Sequence, residues 1–229
     1  MKNRHPYKYL ILLASAYFCT FPIIGITFQK PISIFSFQMP SSVLVYPLTF
    51  VILDIIVEIY GYAIARQIIW CHIILSIYYN FVLFGILSLP SPATWAMSNA
   101  FQQIFNSGVK LTAFFGQLGI LVGFLTNAYL LSKLKILTKG RYFWMRSVGS
   151  SCIGEFIQLS MGLIGAALGG LWKLEYIIQL LLVAFIFRLL FISIFSLPAV
   201  YIAELLKRSE DIDTFDDNVD FNPFLFKAR

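Results

Sequence analysis

The sequence predicts an all-α membrane protein, a bundle of six transmembrane helices with both termini on the cytoplasmic side. Three observations predict this fold. Apolar residues make up 59% of the 229 residues and charged residues only 12%, whereas about a quarter of a soluble domain is charged. The chain contains six apolar stretches of about the 20 residues that a bilayer-spanning helix needs. Basic residues lie almost entirely on one side of these stretches.

The six stretches are separated by short connections and are therefore expected to form one transmembrane domain, residues 1–206. The first stretch is too long for the apolar part of a signal peptide, and no small-residue cleavage motif follows it, so we expect it to remain as a helix. The acidic residues 207–229 predict a disordered cytoplasmic tail. The stretches cover residues 8–28, 41–63, 67–89, 111–133, 147–171 and 176–205.

The distribution of Lys and Arg predicts the orientation. Thirteen of the 17 basic residues fall on the side of the two termini, and three, Lys30, Lys110 and Lys173, fall on the other. Because positive charge marks the cytoplasmic side of membrane proteins, both termini are expected to be cytoplasmic. The net charge of +6 is explained by this topology and by contact with anionic lipid. The bilayer is therefore an expected partner, and nucleic acid is not.

Several local patterns describe the connections and helix ends. Residues 29–40, with two prolines and alternating Ile and Phe, predict an extended or re-entrant segment, and residues 90–110 predict a short interfacial helix. Pro47 predicts a kink in the second span. Gly61 predicts its end, with Arg66 just beyond at the cytoplasmic edge. Small residues in the fourth and fifth spans, including Gly119 and Gly123, predict close packing of these two helices.

Asp54 and Glu58 lie four residues apart in the second span and therefore on one helix face. Carboxylates inside a membrane are costly, which favours a functional site, although a lock that joins helices through a buried cation is the alternative. Glu155 and Gln158 share a face of the fifth span, and Arg188 lies midway along the sixth. Three acids facing one base leave a surplus negative charge, which a proton, a hydrogen-bond-donating substrate or a bound cation would balance.

No catalytic or metal-binding pattern is present. The three cysteines, Cys19, Cys71 and Cys152, have no metal-ligand spacing, and neither His5 nor His72 has a suitable neighbour. The sequence contains no Ser-His-Asp set and no glycine-rich phosphate loop. We therefore expect neither an enzyme nor a cofactor.

The segment YPLTFVILDIIVEIYGYAIARQIIW, residues 46–70, resembles the signature of the queuosine precursor transporter family, also called the vitamin uptake transporter family. Asp54, Glu58, Tyr60, Gly61 and the Ala-Arg pair that ends at Arg66 match this signature. Residues 127–155 and the sixth span, with Arg188, resemble later parts of the family.

The resemblance implies an inner-membrane protein that moves 7-deazaguanine bases. Such a base presents two parallel N–H donors, which the carboxylate of Asp54 or Glu58, or next that of Glu155, would accept. Tyr46, Tyr60 or Phe124 would stack on the ring, and Arg188 would hold the acids or donate to the base. The chain departs from the family pattern at Gly25, Phe124 and Gln158, which puts the exact substrate in doubt.

The sequence thus predicts a transporter of queuosine precursors or a related flat molecule that binds near the membrane midplane. Two alternatives stay open: a vitamin-type capture subunit that needs a separate energising complex, and a structural membrane protein. Self-association into a homo-oligomer is also left open. The expected substrate-binding residues are Asp54, Glu58, Glu155, Gln158, Arg188, Tyr60, Phe124 and Asn127, and the expected structural positions are Pro47, Gly61 and Arg66.

Overall fold

The computed structural model describes residues 7–34, 37–92, 94–105 and 107–225. Within this part the chain forms seven α-helices and one two-stranded hairpin, and six of the helices are long and apolar enough to span a membrane. The prediction of a six-span α-helical bundle is confirmed. The helices are α1 (Leu10–Thr27), α2 (Tyr46–Tyr60), α3 (Tyr62–Leu87), α4 (Ser98–Ile104), α5 (Ser107–Leu137), α6 (Phe143–Leu168) and α7 (Ile177–Glu210), and the strands are β1 (Pro31–Ile34) and β2 (Phe37–Pro40).

Helix α2 is the centre of the bundle. It packs against α1, α3, α5 and α7, and almost all of its residues are buried. A helix that is apolar on all sides is expected in the interior, and α2 has this character apart from Thr49, Asp54 and Glu58. In contrast, α1 and α3 expose most of their apolar surface. The two carboxylates of α2 are therefore placed where neighbouring helices can surround them.

The small residues of the fourth and fifth spans lie where α5 and α6 pack against each other. A Cβ atom on Gly123 would lie 2.5 Å from the carbonyl oxygen of Gly154, and one on Gly154 would lie 2.6 Å from that of Gly123. Any larger side chain at this crossing would push the two backbones apart. The small residues thus bring the polar faces of α5 and α6 against α2.

The second span does not kink at Pro47, so that prediction is wrong. A short 3-10 turn (Ser41–Leu44) leads into α2, and Pro47 lies in the first turn of the helix. Proline is tolerated there because the first N–H groups of a helix have no intrahelical acceptor. The predicted end at Gly61 is confirmed: its φ of +83° separates α2 from α3, which begins at the next residue.

The bundle has two distinct ends. The end that carries Arg66, Lys135, Arg146 and Lys207 is called the basic end, and the opposite one is called the hairpin end. At the hairpin end, β1 and β2 pair antiparallel, with Ile32 opposite Met39, which confirms an extended segment between the first two spans. Helix α4 confirms a short helix in the connection at residues 90–110. The cytoplasmic location of the basic end stays a prediction.

The segment after α7, residues 211–225, packs against the basic end. Asp216 is buried, and its Oδ2 accepts hydrogen bonds from the Tyr62 backbone N–H at 2.8 Å and from Ser132 Oγ at 2.6 Å. Buried Arg66 donates to the carbonyl oxygens of Asp220 and Asn222 at 2.8 and 2.7 Å. The prediction of a disordered tail is therefore wrong for residues 207–225, and residues 226–229 lie outside the described part.

Charge complementarity explains this packing. Asp213 forms ion pairs with Lys135 at 2.6 Å and with Lys207 at 2.9 Å. Burial alone would raise the pKa of the Asp213 carboxyl, but hydrogen bonds and charge from the two lysines lower it below its ordinary value. An acidic segment that would be solvated in isolation is thus ordered by basic side chains that the helices present to it.

Candidate functional site

Three groups of buried polar side chains, each around one carboxylate, follow one another along the bundle axis. The group nearest the hairpin end contains Glu155, Gln158 and Arg188. A middle group surrounds Asp54, and a third group surrounds Glu58 near the basic end. Helices α2, α6 and α7 contribute side chains to all three groups.

The first group is an ordered chain of hydrogen bonds between α2, α6 and α7. Arg188 Nη1 donates to Glu155 Oε1 at 2.5 Å and to Gln158 Oε1 at 2.9 Å. Gln158 Nε2 then donates to the Tyr46 hydroxyl at 2.7 Å, and the guanidinium lies 4.1 Å from the centre of the Tyr46 ring. The predicted need of Arg188 for a buried acid is met by Glu155. These contacts fix the orientation of the Gln158 amide.

The middle group holds Asp54 with neutral partners. Asn127 Nδ2 donates to Asp54 Oδ1 at 2.6 Å, while Ser147 Oγ and Ser151 Oγ donate to Asp54 Oδ2 at 2.5 and 3.2 Å. All four side chains are buried. Ser147 and Ser151 are one helical turn apart on α6, so both reach the same carboxylate. The sequence predicted only packing for these serines because they belong to a run of small residues.

The third group is an ionic cluster around Glu58. Arg146 donates to both carboxylate oxygens, at 2.8 and 3.1 Å, and Lys207 Nζ lies 2.6 Å from Oε1. Lys135 Nζ donates to the Glu58 backbone carbonyl at 2.6 Å. The sequence reasoning missed these cations because it counted all three as surface charges. The sequence reasoning also expected Arg188 to face Asp54 and Glu58. In the structure Arg188 pairs with Glu155, whereas Asp54 has neutral partners and Glu58 has Arg146 and Lys207.

A cavity of about 270 Å³ lies in the half of the bundle near the hairpin end, between α1, α3 and α5. Its size is close to the lower limit of ligand pockets, about 300 Å³. Tyr46 and Gln158 form part of its wall, so the first polar group faces the cavity. The rest of the wall is mainly apolar, and its aromatic side chains are Phe18, Phe21, Phe28, Tyr79, Phe84 and Phe105. The remaining polar side chains of the wall are Gln29, His72, Ser76, Asn80, Thr112 and Gln117.

The predicted site residues are therefore distributed unevenly around this cavity. Gln158 lines it, and Glu155 and Arg188 hold Gln158 from behind. Phe124 lies behind the wall, where its ring stacks on Phe50 at 4.2 Å and lies 6.1 Å from the ring of Phe21. Sequence reasoning did not assign His72 or Gln117, because a lone polar residue in an apolar span does not show which way it faces.

Four other predicted positions lie away from the cavity wall. Asp54, Asn127 and Glu58 belong to the middle and third groups and are not part of the wall. Tyr60 lies at the basic end, where its hydroxyl donates to Glu210 Oε1 at 2.7 Å. Asp54 and Glu58 thus do not line this cavity, because they lie about two and three helical turns beyond Tyr46, the α2 residue of the wall.

The fold defines a multi-pass membrane protein, and a small, mainly apolar cavity lies between its helices. Residues 40–203 match the model of a family described as "putative vitamin uptake transporter". Because the match covers well over half of the 229 residues, the chain belongs to this family, as the resemblance implied. No curated protein and no solved structure matches the chain.

Proposed function

We propose that this protein transports a small, flat heterocycle of the 7-deazaguanine type, a queuosine precursor, across the cytoplasmic (inner) membrane. The observation that carries the proposal is the mainly apolar cavity of about 270 Å³, with seven Phe or Tyr side chains and an oriented amide and hydroxyl on its wall. Membership of a family of vitamin uptake transporters supports the transport of a small vitamin-like molecule. The cavity supplies the reason for a flat ring.

Two groups on the wall are suited to the edge of such a base. The Tyr46 hydroxyl accepts from Gln158, which leaves its own proton to donate to a ring carbonyl. Gln117 interacts with the neighbouring His72, and its buried Oε1 lacks a partner at full hydrogen-bond geometry within the described part of the chain. A buried acceptor without a partner is costly, and an N–H of the base would satisfy it. Phe21 and His72, whose ring centres are 3.7 Å apart, provide a surface for stacking.

This arrangement assigns different roles from those implied by the family resemblance. Glu155 is not part of the cavity wall. Its Oε1 accepts a hydrogen bond from Arg188, and Arg188 also donates to Gln158, which is on the wall. We therefore assign Glu155 and Arg188 to the positioning of Gln158, and the contact with the base to Tyr46, Gln117 and Gln158. An amide in place of a carboxylate recognises a neutral donor-acceptor edge without adding a charge to the cavity.

The test is a thermal-shift and binding measurement on the purified full chain with 7-deazaguanine bases, guanine and, as a mismatched purine, adenine. Ligand that binds the folded state raises the unfolding temperature. We expect stabilisation by the first two and a roughly tenfold loss of affinity in Gln117→Leu, as for one buried hydrogen bond of about 1–3 kcal/mol. Gln179→Leu, at an exposed position of α7, is the matched control and should bind as the wild type does.

The proposal fails if no flat heterocycle stabilises the wild type, or if Gln117→Leu and Gln179→Leu bind the base equally well. Uptake of labelled base by liposomes that contain only this chain then separates a transporter from a capture subunit. A capture subunit would bind the base without accumulating it until an energising complex is added.

A further inference from the structure

Among the described residues, Asp54 differs from Glu58 and Glu155, the other carboxylates deep in the spans, in having no ion pair. Glu58 is paired with Arg146, and Glu155 with Arg188. In the part of the chain that the structure describes, Asp54 receives hydrogen bonds from one amide and two hydroxyls only, although its side chain is completely buried. An uncompensated charge at this depth is strongly unfavourable. The middle group thus lacks the one positive charge that would balance the Asp54 carboxylate.

The groups around Asp54 are the oxygen donors that a hard cation prefers. Each serine hydroxyl that donates to the carboxylate keeps its lone pairs. Ser196 on α7 adds another hydroxyl, 3.1 Å from Ser147 Oγ, and Asn127 adds its amide oxygen, 3.3 Å from Ser151 Oγ. Carboxylate, hydroxyl and amide oxygens without nitrogen or sulfur suit hard cations rather than zinc or copper. A single carboxylate balances a single positive charge.

We propose that Asp54, with Asn127, Ser147 and Ser151, binds one monovalent cation, a sodium ion or a proton, that is coupled to ligand binding in the cavity. The coupling rests on the proposed function, whereas cation binding at Asp54 does not. Eight residues of α2 separate Asp54 from Tyr46, about 12 Å along a helix, and four separate it from Glu58, about 6 Å. The site therefore lies between the cavity and the ionic cluster at the basic end.

The same helices carry the cation site and the cavity wall. Helix α2 contributes both Asp54 and Tyr46, and α6 contributes Ser147, Ser151 and Gln158. A cation that draws these oxygens together also sets the spacing of α2 and α6 at the Gln158–Tyr46 hydrogen bond. If the cation raises the affinity for the base, the base must raise the affinity for the cation by the same factor.

Other charged and titratable groups near Asp54 could also contribute to a pH effect on the unfolding temperature. Those on the basic-end side belong to the Glu58 cluster, and those on the other side belong to the first polar group. An ordinary histidine titrates at about pH 6.5, so His72 on α3 needs its own control, His72→Asn. The groups are Glu58, Lys135, Arg146 and Lys207 on the basic-end side, and Glu155 and Arg188 on the hairpin-end side.

The experiment measures the unfolding temperature of the purified full chain in sodium chloride and in choline chloride at equal ionic strength, at pH 6 and pH 8. Sodium binding is expected to raise the unfolding temperature with saturation, and proton binding to raise it at pH 6 in both salts. Asp54→Asn should abolish the effect. Ser151→Ala removes one oxygen ligand and one hydrogen bond to the charged carboxylate, so it should weaken a sodium effect and strengthen a proton effect. Ser150→Ala is the matched control because Ser150 is buried on the same helix but donates to the Ser147 carbonyl at 3.2 Å.

The affinity for 7-deazaguanine base, measured under the same conditions, tests the coupling. We expect the effective cation to raise it by about 5–150-fold, the usual range for coupled sites, in the wild type and in Ser150→Ala but not in Asp54→Asn. Cation-independent stability of the wild type overturns the proposed site, even if the base binds. If Asp54→Asn does not fold, the proposed site is also overturned when sodium and pH change the unfolding temperature of Ser151→Ala and of Ser150→Ala equally. Failure of every base to bind overturns the proposed function and leaves the cation result intact.

Discussion

Replacing Glu58 by Gln should destabilise the bundle more than any surface ion pair could. The substitution keeps the size of the side chain but removes the negative charge that faces Arg146 and Lys207. The side chain of Arg146 is 2% exposed and that of Lys207 is 18% exposed. Neither cation can regain full hydration without the helices moving, because α6 and α7 hold both against α2.

The expected magnitude follows from the cost of leaving one partner of a buried ion pair behind, about 3–5 kcal/mol. For a chain of this length each kcal/mol corresponds to roughly 2–4 °C in the unfolding temperature. Glu58→Gln is therefore expected to lower it by about 6–20 °C. The hydrogen bond that Lys135 donates to the Glu58 backbone carbonyl is retained, so the fold itself should persist.

The assay is the temperature at which half of the detergent-solubilised protein is lost from its monodisperse peak in size-exclusion chromatography. Glu175→Gln is the matched control because Glu175 pairs with Lys173 at 3.7 Å and both side chains are largely exposed. An exposed pair contributes at most about 1 kcal/mol, so its removal should shift the midpoint by less than about 4 °C. Equal shifts for Glu58→Gln and Glu175→Gln would refute the assignment of Glu58 to a structural ionic cluster.

Two further predictions concern the helix pair and the C-terminal segment. Gly123→Ala should destabilise the bundle by about 1–3 kcal/mol, as overpacking does, because its Cβ would meet the Gly154 carbonyl. Gly116→Ala is the control, because its Cβ would meet nothing within 4 Å, and it should not destabilise the bundle. Equal thermal midpoints for the two variants would contradict the Gly123–Gly154 contact. Asp216→Ala should release the segment after α7, with faster proteolysis beyond Glu210, because it removes the acceptor for a helix N-terminal N–H. Exposed Asp217→Ala should leave the cleavage rate unchanged, and unchanged cleavage in Asp216→Ala would show that the segment does not depend on this contact.

The fold was largely predictable because the bilayer imposes a simple rule on sequence. A stretch of about 20 apolar residues must form a helix to satisfy its backbone in lipid, and this located six spans close to their observed positions. The small residues of α5 and α6 predicted close helix packing, because small side chains allow two helix backbones to approach, but they did not show which helix each would meet. Pro47 shows the limit of this reasoning, because the effect of a proline depends on whether it lies in the first turn or further along the helix.

The candidate site was predictable in its members but not in their grouping. Helical spacing placed Glu155 and Gln158 on one face, and the depth of Arg188 required a buried acid. Spacing could not show that the neighbouring helices would give Asp54 neutral partners and Glu58 an arginine and a lysine. Lys207 and Arg146 lie at the ends of apolar stretches, where a sequence cannot distinguish a surface charge from one that reaches back into the bundle.

By itself, the sequence determined the number of spans and many of the polar side chains that are buried, because hydrophobicity and helical period act locally along the chain. The central place of α2 became visible only in the structure. Only the tertiary structure decided which of these side chains meet, where the cavity lies, and that the acidic segment after α7 is packed. Those outcomes depend on hydrogen bonds and ion pairs between residues that lie far apart in the chain, such as Gln158 with Tyr46 and Asp216 with Tyr62. Such partners come within hydrogen-bonding distance only when the whole chain has packed.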